Sequence, residues 1–526
     1  MGYSAPMRTR PAARPVAPAR SLGAALAAAA LLAAACTGGD DPAGSERPAG
    51  SGGSPAAADT PAATVSPPDA PVAVAAGTTP AAVSVAVSRQ LFDRSPAVVV
   101  AAATDAAGIA DGAAQAERLG APLLLDDGTG TAVRAEIDRL QPETVVAVGP
   151  EVAGRLQSAG PEVVTDAGEV TSTPPAAGLG DVAVLVRAGG DAAGKATGAA
   201  ATATGKAAGA TVVPVAGADP RADPAAVEAL AAAKAAHVLA AGSGFGAVDR
   251  LRRRLAVAAT GTQLPGGGQV MFPGRRLVAM YGHPGSGALG VLGEQPVDAA
   301  IARAKKLAAP YRALSGRTPV VPTFEIISTV ATAPPGPDGN YSFEAPVSLL
   351  KPWVDKAGKA GMYVVLDLQP GRTDFLTQAK RYESLLRLPH VGLALDPEWR
   401  LKPGQRHLTQ IGSVSAAEVN SVYRWLADLT AKAALPQKVL VLHQFRLDMI
   451  GDDQPLQRDR DEVALLIHMD GQGPTGSKDT TWRAVVGAAP KGVALGWKNF
   501  YDEDSPMLTP AQTMTRKPTP LMISYQ

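Results

Sequence analysis

A pair of carboxylates follows a short apolar run in the C-terminal half of the sequence. The run 393–395 predicts a buried strand, and Asp396 and Glu398 come directly after it, at a spacing of i, i+2. Because side chains alternate across a strand, the two acids are predicted on one side, roughly 6–7 Å apart. Two acids this close do not both ionise cheaply at neutral pH, so one stays protonated. An acid beside a negative charge is the pairing that cleaves glycosidic bonds. The plainer alternative is a pair that anchors a loop.

Eight apolar segments within residues 276–526 predict the strands of a (β/α)₈ barrel, or TIM barrel. They are Leu277–Tyr281, Val320–Ile327, Met362–Leu368, Val391–Leu395, Val439–Leu442, Val463–Ile467, Val493–Trp497 and Leu521–Tyr525. A length of about 250 residues is typical of this fold. Helical periodicity predicts helices over Val297–Leu314, Phe343–Ala360, Asp374–Leu388 and Ala416–Ala433. Ser415 and Glu418 suit a capping box for the last helix, and Gly451–Arg460 is predicted as a polar loop.

Polar and aromatic side chains stand at the ends of most of these segments. In a barrel such ends converge on the mouth, where the active sites of the fold lie. Each residue alone is more often structural, but a ring of them predicts a ligand-binding or catalytic mouth, because buried carboxylates are costly without a purpose. The predicted catalytic residues are Glu398, Asp396, Asp367 and Glu325. The predicted substrate-binding residues are His283, Tyr281, His443, Gln444, His468, Asp470, Trp399 and Trp497. The aromatic ones among them would stack on sugar rings or pack in the core.

The composition excludes several classes of function. The 526 residues carry 49 Lys and Arg against 48 Asp and Glu, a net charge of +1, so nucleic acid is not predicted as a partner. A single cysteine rules out intrachain disulfides and thiolate metal clusters. A chain of this length provides for two or three domains, each with its own core.

The N-terminus has the pattern of an export signal. Arginines between residues 8 and 20 precede an apolar run over 22–35, which is too short to span a membrane and ends at Cys36. The sequence from Leu32 to Cys36 resembles the lipobox of bacterial lipoproteins, although the usual Leu lies one place upstream of its normal position. The resemblance implies that Cys36 is acylated, as with palmitate, and that the protein is anchored on the extracytoplasmic face of the cell membrane. An ordinary cleaved signal peptide is the alternative.

Shifts in composition divide the chain into segments. The predicted division is a signal peptide at 1–36, a disordered linker at 37–82, α/β modules at 83–166 and 167–262, a linker at 263–275 and the barrel at 276–526. The first linker is rich in Gly, Pro, Ser and Ala and poor in residues that form a core. A tether between a lipid anchor and a folded body suits a surface protein.

The two modules repeat one pattern of apolar strands and Ala-rich helices. Asp-Ala-Ala-Gly occurs at Asp105–Gly108 and again at Asp191–Gly194. Regular alternation of strands and helices predicts parallel sheets with helices on both faces. The first module resembles the cell-wall-binding repeat 2 family at Asp111, Gly120–Leu125 and Val145–Gly149. The resemblance implies attachment to anionic wall polymers, and a spacer that presents the barrel is the alternative.

The fourth barrel strand resembles that of two glycosidase groups. The D-x-E motif of a muramidase type matches Asp396 and Glu398, whereas the longer motif of the chitinase type needs two further acids that this strand lacks. The resemblance implies that Glu398 protonates the leaving oxygen. It also implies that Asp396 holds a negative charge near the oxocarbenium-like centre or steadies a neighbouring N-acetyl group, while Asp367 or Glu325 orients or activates water.

These patterns favour a membrane-anchored surface glycoside hydrolase that acts on cell-wall or other extracellular polysaccharide. The alternative is a non-catalytic carbohydrate- or wall-binding lipoprotein whose barrel has lost turnover. A metal-dependent hydrolase built on the histidines is a weaker idea, because no H-x-H or H-E-x-x-H spacing occurs. No metal or cofactor is predicted. The G-x-G-x-x-G at 285–290 is not followed at once by a helix, as a dinucleotide site requires.

Overall fold

The computed structural model describes residues 62–157 and 160–526. The predicted signal peptide, Cys36 and most of the predicted linker lie outside the described residues. Within the described ranges, no helix combines the length and the apolar composition that crossing a membrane requires. These ranges form an N-terminal part up to residue 262 and a C-terminal part from residue 276.

The N-terminal part alternates short strands and helices. Its strands are β1 (Thr64–Val65), β2 (Val72–Ala75), β3 (Phe92–Arg94), β4 (Ala97–Ala102), β5 (Leu123–Asp126), β6 (Thr144–Val148), β7 (Glu162–Val164), β8 (Val182–Arg187), β9 (Thr211–Val215) and β10 (His237–Ala241). Its helices are α1 (Pro80–Leu91), α2 (Ala106–Leu119), α3 (Thr131–Leu140), α4 (Pro150–Leu156), α5 (Ala192–Ala207), α6 (Pro224–Ala233) and α7 (Val248–Ala258).

The C-terminal part follows the same alternation. Its strands are β11 (Arg276–Gly282), β12 (Val320–Ala331), β13 (Ser342–Glu344), β14 (Tyr363–Leu368), β15 (Val391–Leu395), β16 (Lys438–His443), β17 (Val463–Met469), β18 (Ala494–Asn499) and β19 (Met522–Tyr525). Its helices are α8 (Val297–Leu314), α9 (Val347–Lys359), α10 (Phe375–Arg381), α11 (Glu383–Leu386), α12 (Ala416–Lys432), α13 (Thr475–Ala488) and α14 (Pro510–Met514).

Two four-stranded parallel sheets make up most of the N-terminal part, and the short strands β1 and β3 pair antiparallel. One has the order β5-β4-β6-β7 and the other the order β9-β8-β10-β2. In both, the chain runs from a central strand to the strand on one side and then to the strand on the other. The repeated Asp-Ala-Ala-Gly places Asp105 and Asp191 at the N-caps of the equivalent helices α2 and α5. Each of these helices follows the first of three consecutive strands of its sheet, β4 or β8.

The structure corrects the C-terminal end of the predicted linker at 37–82. Strand β2 lies inside that range and pairs in parallel with β10, with Val72 opposite Val238. In its sheet, β2 occupies the place that β7 occupies in the other sheet. Helix α1 also begins before residue 82, at Pro80, with Thr79 as its N-cap. A run of only four residues, Val-Ala-Val-Ala, suffices for an edge strand, but its signal is lost in the composition of the whole stretch.

Eight parallel strands close the barrel of the C-terminal part. The order is β11-β12-β14-β15-β16-β17-β18-β19, and β19 pairs back with β11. Each of the eight predicted segments is one of these strands, so the predicted fold class is confirmed. Strand β13 is additional and antiparallel to β12, and it takes up the start of the predicted helix 343–360. The predicted helix 374–388 consists of the two short helices α10 and α11.

Alternation along the barrel strands separates two sets of side chains. One set, which includes Phe324, Leu366 and Leu440, packs against the surrounding helices. The other set points into the barrel. In its lower layers it is apolar, with Val365 and Val441 in a closed interior core. Towards the C-terminal ends of the strands the inward positions become polar, and they form the candidate site.

The predicted capping box at the start of α12 forms only in part. Ser415 Oγ accepts a hydrogen bond from the backbone N–H of Glu418 at 3.1 Å. The Glu418 carboxylate instead accepts hydrogen bonds from the Arg400 guanidinium at 3.1 Å and from the backbone N–H of Phe375 at 2.8 Å. A charged donor is a stronger partner than the N-cap backbone. Glu418 therefore ties the loop after β15 to both α12 and α10.

An arginine–aspartate network joins the N-terminal part to the base of the barrel. Asp461, two residues before β17, accepts two hydrogen bonds from Arg250 at 2.9 and 2.8 Å and two from Arg254 at 2.8 and 3.2 Å. Arg221 donates to the Asp461 carbonyl at 3.2 Å. Burial alone would raise the pKa of Asp461, but the two bidentate arginines hold it well below its usual range. The contact lies at the N-terminal ends of the strands, opposite the mouth.

Lys438 is a fully buried cation at the start of β16. Its Nζ donates to the carbonyls of Leu388 and Val391, each at 2.8 Å, and burial lowers its pKa to about 7. In the unfolded chain the pKa has its ordinary value of 10.5. Between these two values the unfolded state binds more protons than the folded state, so this residue makes stability rise with pH.

We expect Lys438→Met to remove this pH dependence. The difference in free energy of unfolding between the wild type and the variant should grow in favour of the wild type from pH 7 to pH 10, by up to about 4 kcal/mol. Urea denaturation at several pH values measures it. The exposed Lys432→Met is the matched control and should leave the profile unchanged. Parallel profiles for the wild type and Lys438→Met would contradict the expectation.

Candidate active site

Five carboxyl groups stand around the mouth of the barrel. Glu325 lies on β12, Asp367 on β14, Asp396 and Glu398 follow β15, and Asp470 follows β17. Glu325 and Asp367 have no exposed surface, and Asp396 and Asp470 are only 3% and 8% exposed. Glu398 is half-buried. The structure thus brings the four predicted catalytic residues together and adds Asp470 to them.

His443 lies at the centre of these acids. Its Nδ1 is 3.0 Å from Asp470 Oδ2, and its Nε2 is 3.0 Å from Glu325 Oε1 and 3.7 Å from Asp367 Oδ1. Because an ionised carboxylate only accepts hydrogen bonds and the pKa of Asp470 is lowered, His443 Nδ1 donates to Asp470 Oδ2. Burial by itself lowers the pKa of His443, but the negative charges of Glu325 and Asp470 raise it well above its usual range.

Three carboxylate oxygens around His443 have no hydrogen-bond donor. They are Glu325 Oε2, Asp367 Oδ1 and Asp470 Oδ1, and all three are buried. A buried acceptor without a donor costs about 1–3 kcal/mol and is rare in folded proteins. A concentration of such atoms is therefore typical of a functional site rather than of core packing.

Tyr281 forms one wall of the cluster. Its hydroxyl donates to Asp367 Oδ2 at 2.9 Å and accepts from Gln369 Nε2 at 3.2 Å. The Nζ of Lys498 lies 3.5 Å from the centroid of the Tyr281 ring. Burial, and next the charge of Asp367, raises the pKa of Tyr281 well above its usual range, so the phenol stays protonated. With 3% exposure, Tyr281 is a buried hydrogen-bonding residue rather than the predicted sugar-stacking platform.

His468 belongs to the same cluster in its neutral form. Its Nε2 is 3.1 Å from Ser524 Oγ, and its ring centroid is 5.2 Å from that of His443. Burial, and next the charge of His443, lowers the pKa of His468 well below its usual range. His468 has no exposed surface, so it supports the mouth from below.

No set of three or more His, Cys, Asp or Glu side chains in the described ranges is arranged to hold a metal ion.

The i, i+2 spacing predicts that the D-x-E pair lies on a strand. In the structure the pair lies after the strand instead. Strand β15 ends at Leu395, and Pro397–Trp399 forms a 3₁₀ turn. Asp396 Oδ1 caps this turn by accepting a hydrogen bond from the backbone N–H of Glu398 at 3.3 Å. The fixed φ of Pro397 suits the first position of such a turn. Both carboxyl groups still lie close enough to His443 and Asp470 for the charges of those residues to shift their pKa values.

The mouth holds more acids than it ionises at neutral pH. Burial, and next the charge of Asp470, raises the pKa of Glu398 to about 7. Burial raises the pKa of Asp367 to about 6 and that of Asp396 well above its usual range. Asp470 differs: burial alone would raise its pKa, but the hydrogen bond from His443 lowers it. At neutral pH Asp470 is therefore ionised, and Glu398 is divided between the protonated and ionised forms.

Three predicted substrate-binding residues lie away from the carboxylates. Trp497 is fully buried in the cluster that packs between β18 and α13. The Gln444 side chain is 3.4 Å from a loop carbonyl, that of Leu447. His283 Nδ1 donates to the Ile327 carbonyl at 2.8 Å. For Trp497 and Gln444 the cause is strand alternation, since the neighbouring Lys498 and His443 take the inward positions.

Trp399 lies on the rim of the mouth and is half-buried. Its ring meets that of His407 edge-on, with centroids 5.3 Å apart, and His407 meets Tyr341 edge-on at 6.2 Å. The arrangement keeps part of the Trp399 ring at the surface. Sugar stacking on Trp399 stays a prediction.

Three polar residues of the cluster are not among the predicted site residues. Lys498 and Ser524 occupy inward positions on β18 and β19, and Gln369 follows β14 directly. The predicted sixth, seventh and eighth strands end at apolar or aromatic residues. Lys498 lies one residue beyond the predicted seventh strand, which ends at Trp497. Alternation from Ala494 through Gly496 would have identified Lys498 as inward-facing.

Comparisons with known proteins add little to this geometry. No protein-family model matches the chain, and no curated protein does. One of the similar solved structures is Cwp6 from Clostridium difficile, at 13% sequence identity and a TM-score of 0.27. The match covers 62% of this chain and 63% of the Cwp6 chain, so this chain spans less than two thirds of the length of Cwp6. A similarity at this level does not indicate a shared function.

Proposed function

We propose that the chain is a glycoside hydrolase whose active site is the mouth of the C-terminal barrel. The observation that carries the proposal is Glu398: a half-buried carboxyl group beside Asp396, with a pKa of about 7. A general acid works best when its pKa lies near the working pH. An ordinary glutamate, with a pKa near 4.3, would be deprotonated there.

In the proposed reaction, Glu398 gives its proton to the leaving oxygen as the bond to the anomeric carbon breaks. Burial raises the pKa of Asp396 well above its usual range, and its Oδ1 accepts a hydrogen bond from the backbone N–H of Glu398. Asp396 thereby holds the turn that presents the proposed acid.

The proposal includes a place on the extracytoplasmic face of the cell membrane. It rests on the export pattern that ends at Cys36 and on the likeness of the first module to cell-wall-binding repeats. The substrate would be a cell-wall or other extracellular polysaccharide, and the two N-terminal sheets would attach to wall polymer or act as a spacer.

A non-catalytic carbohydrate-binding protein is the second candidate. The deep burial of Glu325, Asp367 and Asp396 favours this candidate. Glu398 is then the most exposed carboxyl group of the mouth, without an equally exposed second acid among these residues. The acids would then orient a bound sugar without turning it over.

Incubation of the purified full-length protein with peptidoglycan, arabinogalactan, α-glucan and β-glucan separates the two candidates. Release of reducing ends from any of these polymers supports the hydrolase. Co-sedimentation with a polymer without release of reducing ends supports the binding protein. If no polymer is cleaved and none co-sediments with the protein, both candidates are contradicted. A fragment beginning at residue 81 is unsuitable, because it would lack β2.

We expect kcat/KM of the wild type to fall as the pH rises above about 7. Glu398 acts only when protonated and has a pKa of about 7, so the decline should approach about tenfold per pH unit above pH 8. Initial rates at constant ionic strength measure it. Protein held at each pH and then assayed at pH 6.5 controls for denaturation. A flat profile up to pH 9 would exclude Glu398 as the acid.

A further inference from the structure

Asp470 and Glu398 are the two most exposed of the five carboxyl residues at the mouth. Glu398 is half-buried, and Asp470, at 8%, is more exposed than Asp396, Asp367 or Glu325. They follow β15 and β17, and β16 runs between these two strands. Neighbouring strands lie about 4.8 Å apart, so the ends of β15 and β17 are separated by roughly 10 Å. The two acids therefore approach a common space from two sides.

One oxygen of the Asp470 carboxylate is held by His443, and the other is buried without a hydrogen-bond donor among the described residues. Oδ2 accepts the hydrogen bond from His443 Nδ1 at 3.0 Å, which fixes the orientation of the carboxylate. Oδ1 has no hydrogen-bond donor. Asp396 is placed differently, because its Oδ1 caps the turn that carries Glu398. Asp470 is thus oriented by His443 on β16, and not by the 3₁₀ turn that carries Glu398.

We propose that Asp470 is the catalytic base that activates the attacking water opposite Glu398. The inference rests on the proposed function. In the reaction, the Glu398 proton passes to the glycosidic oxygen as its bond to the anomeric carbon breaks. Asp470 takes one proton from a water molecule, whose oxygen forms the new bond to the same carbon. Water is thereby added across the bond, and transfer of the proton from Asp470 back to Glu398 through solvent restores both groups.

Charge and spacing both support this assignment. Burial alone would raise the pKa of Asp470, but His443 lowers it, whereas burial and the charge of Asp470 raise that of Glu398. Two acids whose surroundings drive their pKa values apart are suited to opposite roles, one as base and one as acid. A separation of the backbones by two strand spacings, roughly 10 Å, is compatible with the roughly 6.5–9.5 Å between the carboxyl groups of inverting glycosidases, which leaves room for a water molecule. The reaction should therefore invert the anomeric configuration.

Asp470→Asn and Asp396→Asn form a matched pair for testing the base. On a polysaccharide that the wild type cleaves, Asp470→Asn should lower kcat by about 10²–10⁴-fold. Sodium azide should restore turnover of this variant and yield a glycosyl azide, because the anion replaces the activated water. Asp396→Asn should yield no glycosyl azide, because this variant retains Asp470 as the base. Near-wild-type turnover by Asp470→Asn, or azide rescue of Asp396→Asn alone, would overturn the assignment.

The wild type provides a test that does not depend on the folding of a variant. Proton NMR of the first products should show the anomer opposite to that of the substrate, and retention would overturn the role of Asp470 as base. The two proposals fail in different ways. If the wild type cleaves glycan with retention, only the assignment of Asp470 fails. If the wild type cleaves no glycan, the proposed function fails and the assignment falls with it.

Discussion

Replacing Glu398 with Gln is expected to reduce glycan cleavage by about 10²–10⁴-fold. Gln keeps the size of the side chain and its place in the 3₁₀ turn after β15, but it has no acidic proton to give to the leaving oxygen. Binding of the polysaccharide should change little, because the rest of the mouth is untouched. Release of reducing ends measures cleavage, and co-sedimentation with the insoluble polymer measures binding.

Glu503→Gln is the matched control for this experiment. Glu503 is exposed in the segment after β18, on the same face of the barrel as the mouth, and its replacement should leave cleavage unchanged. If Glu398→Gln cleaves as fast as Glu503→Gln, the acid must be another residue. An equal loss of cleavage and binding in Glu398→Gln would indicate damage to the substrate site rather than to catalysis.

Replacing His443 with Phe is expected to lower the free energy of unfolding by about 3–5 kcal/mol at neutral pH. The imidazolium is the shared partner of Glu325 and Asp470 and lies near Asp367. Its removal leaves these carboxylates buried together without the cation, and uncompensated buried charge is among the most destabilising changes. Urea denaturation followed by circular dichroism measures the loss.

Two variants show whether charge is the cause. Adding Glu325→Gln to His443→Phe removes one of the uncompensated acids and should recover part of the stability. His407→Phe is the control on the rim, where a single hydrogen bond to the Tyr341 carbonyl is lost, at a cost of about 1 kcal/mol. A loss in His443→Phe no larger than in His407→Phe would mean that the imidazolium does not balance the cluster.

The stabilisation by His443 should also depend on pH in a defined direction. Its folded pKa is raised, so the folded state holds the proton to higher pH than the unfolded state. The ion pairs therefore contribute fully below the unfolded pKa, near 6.5, and their contribution is lost as the pH rises through the folded pKa. The difference between the wild type and His443→Phe should accordingly shrink at alkaline pH.

The barrel was predictable because each of its strands is a short apolar run on its own. A parallel strand covered on both faces is apolar along its length, and 391–395 is an example that the structure reproduces residue for residue. Strand β2 was not predictable in this way. It is held by pairing with β10, some 165 residues further along the chain, and no local pattern carries that information.

The candidate site was predictable in membership but not in detail. The ends of parallel strands meet at one edge, which placed Glu325, Asp367 and His443 together from the sequence alone. The orientation of individual side chains depends on where each strand stops. Strand β15 ends at Leu395, three residues before Glu398, which the D-x-E spacing places on the strand. On β18 the inward position belongs to Lys498 rather than to Trp497. Such shifts of a single residue exchange the inner and outer faces of a strand.

The pairing of Asp461 with Arg250 and Arg254 has a consequence for large substrates. It joins the two parts at the end of the barrel opposite Glu398, so the N-terminal sheets attach away from the mouth to which we assign polysaccharide binding. A polymer held in the mouth and pulled away would load these charged contacts in tension. Bidentate arginine–carboxylate pairs, directional and shared between two arginines, are suited to bear that mechanical load.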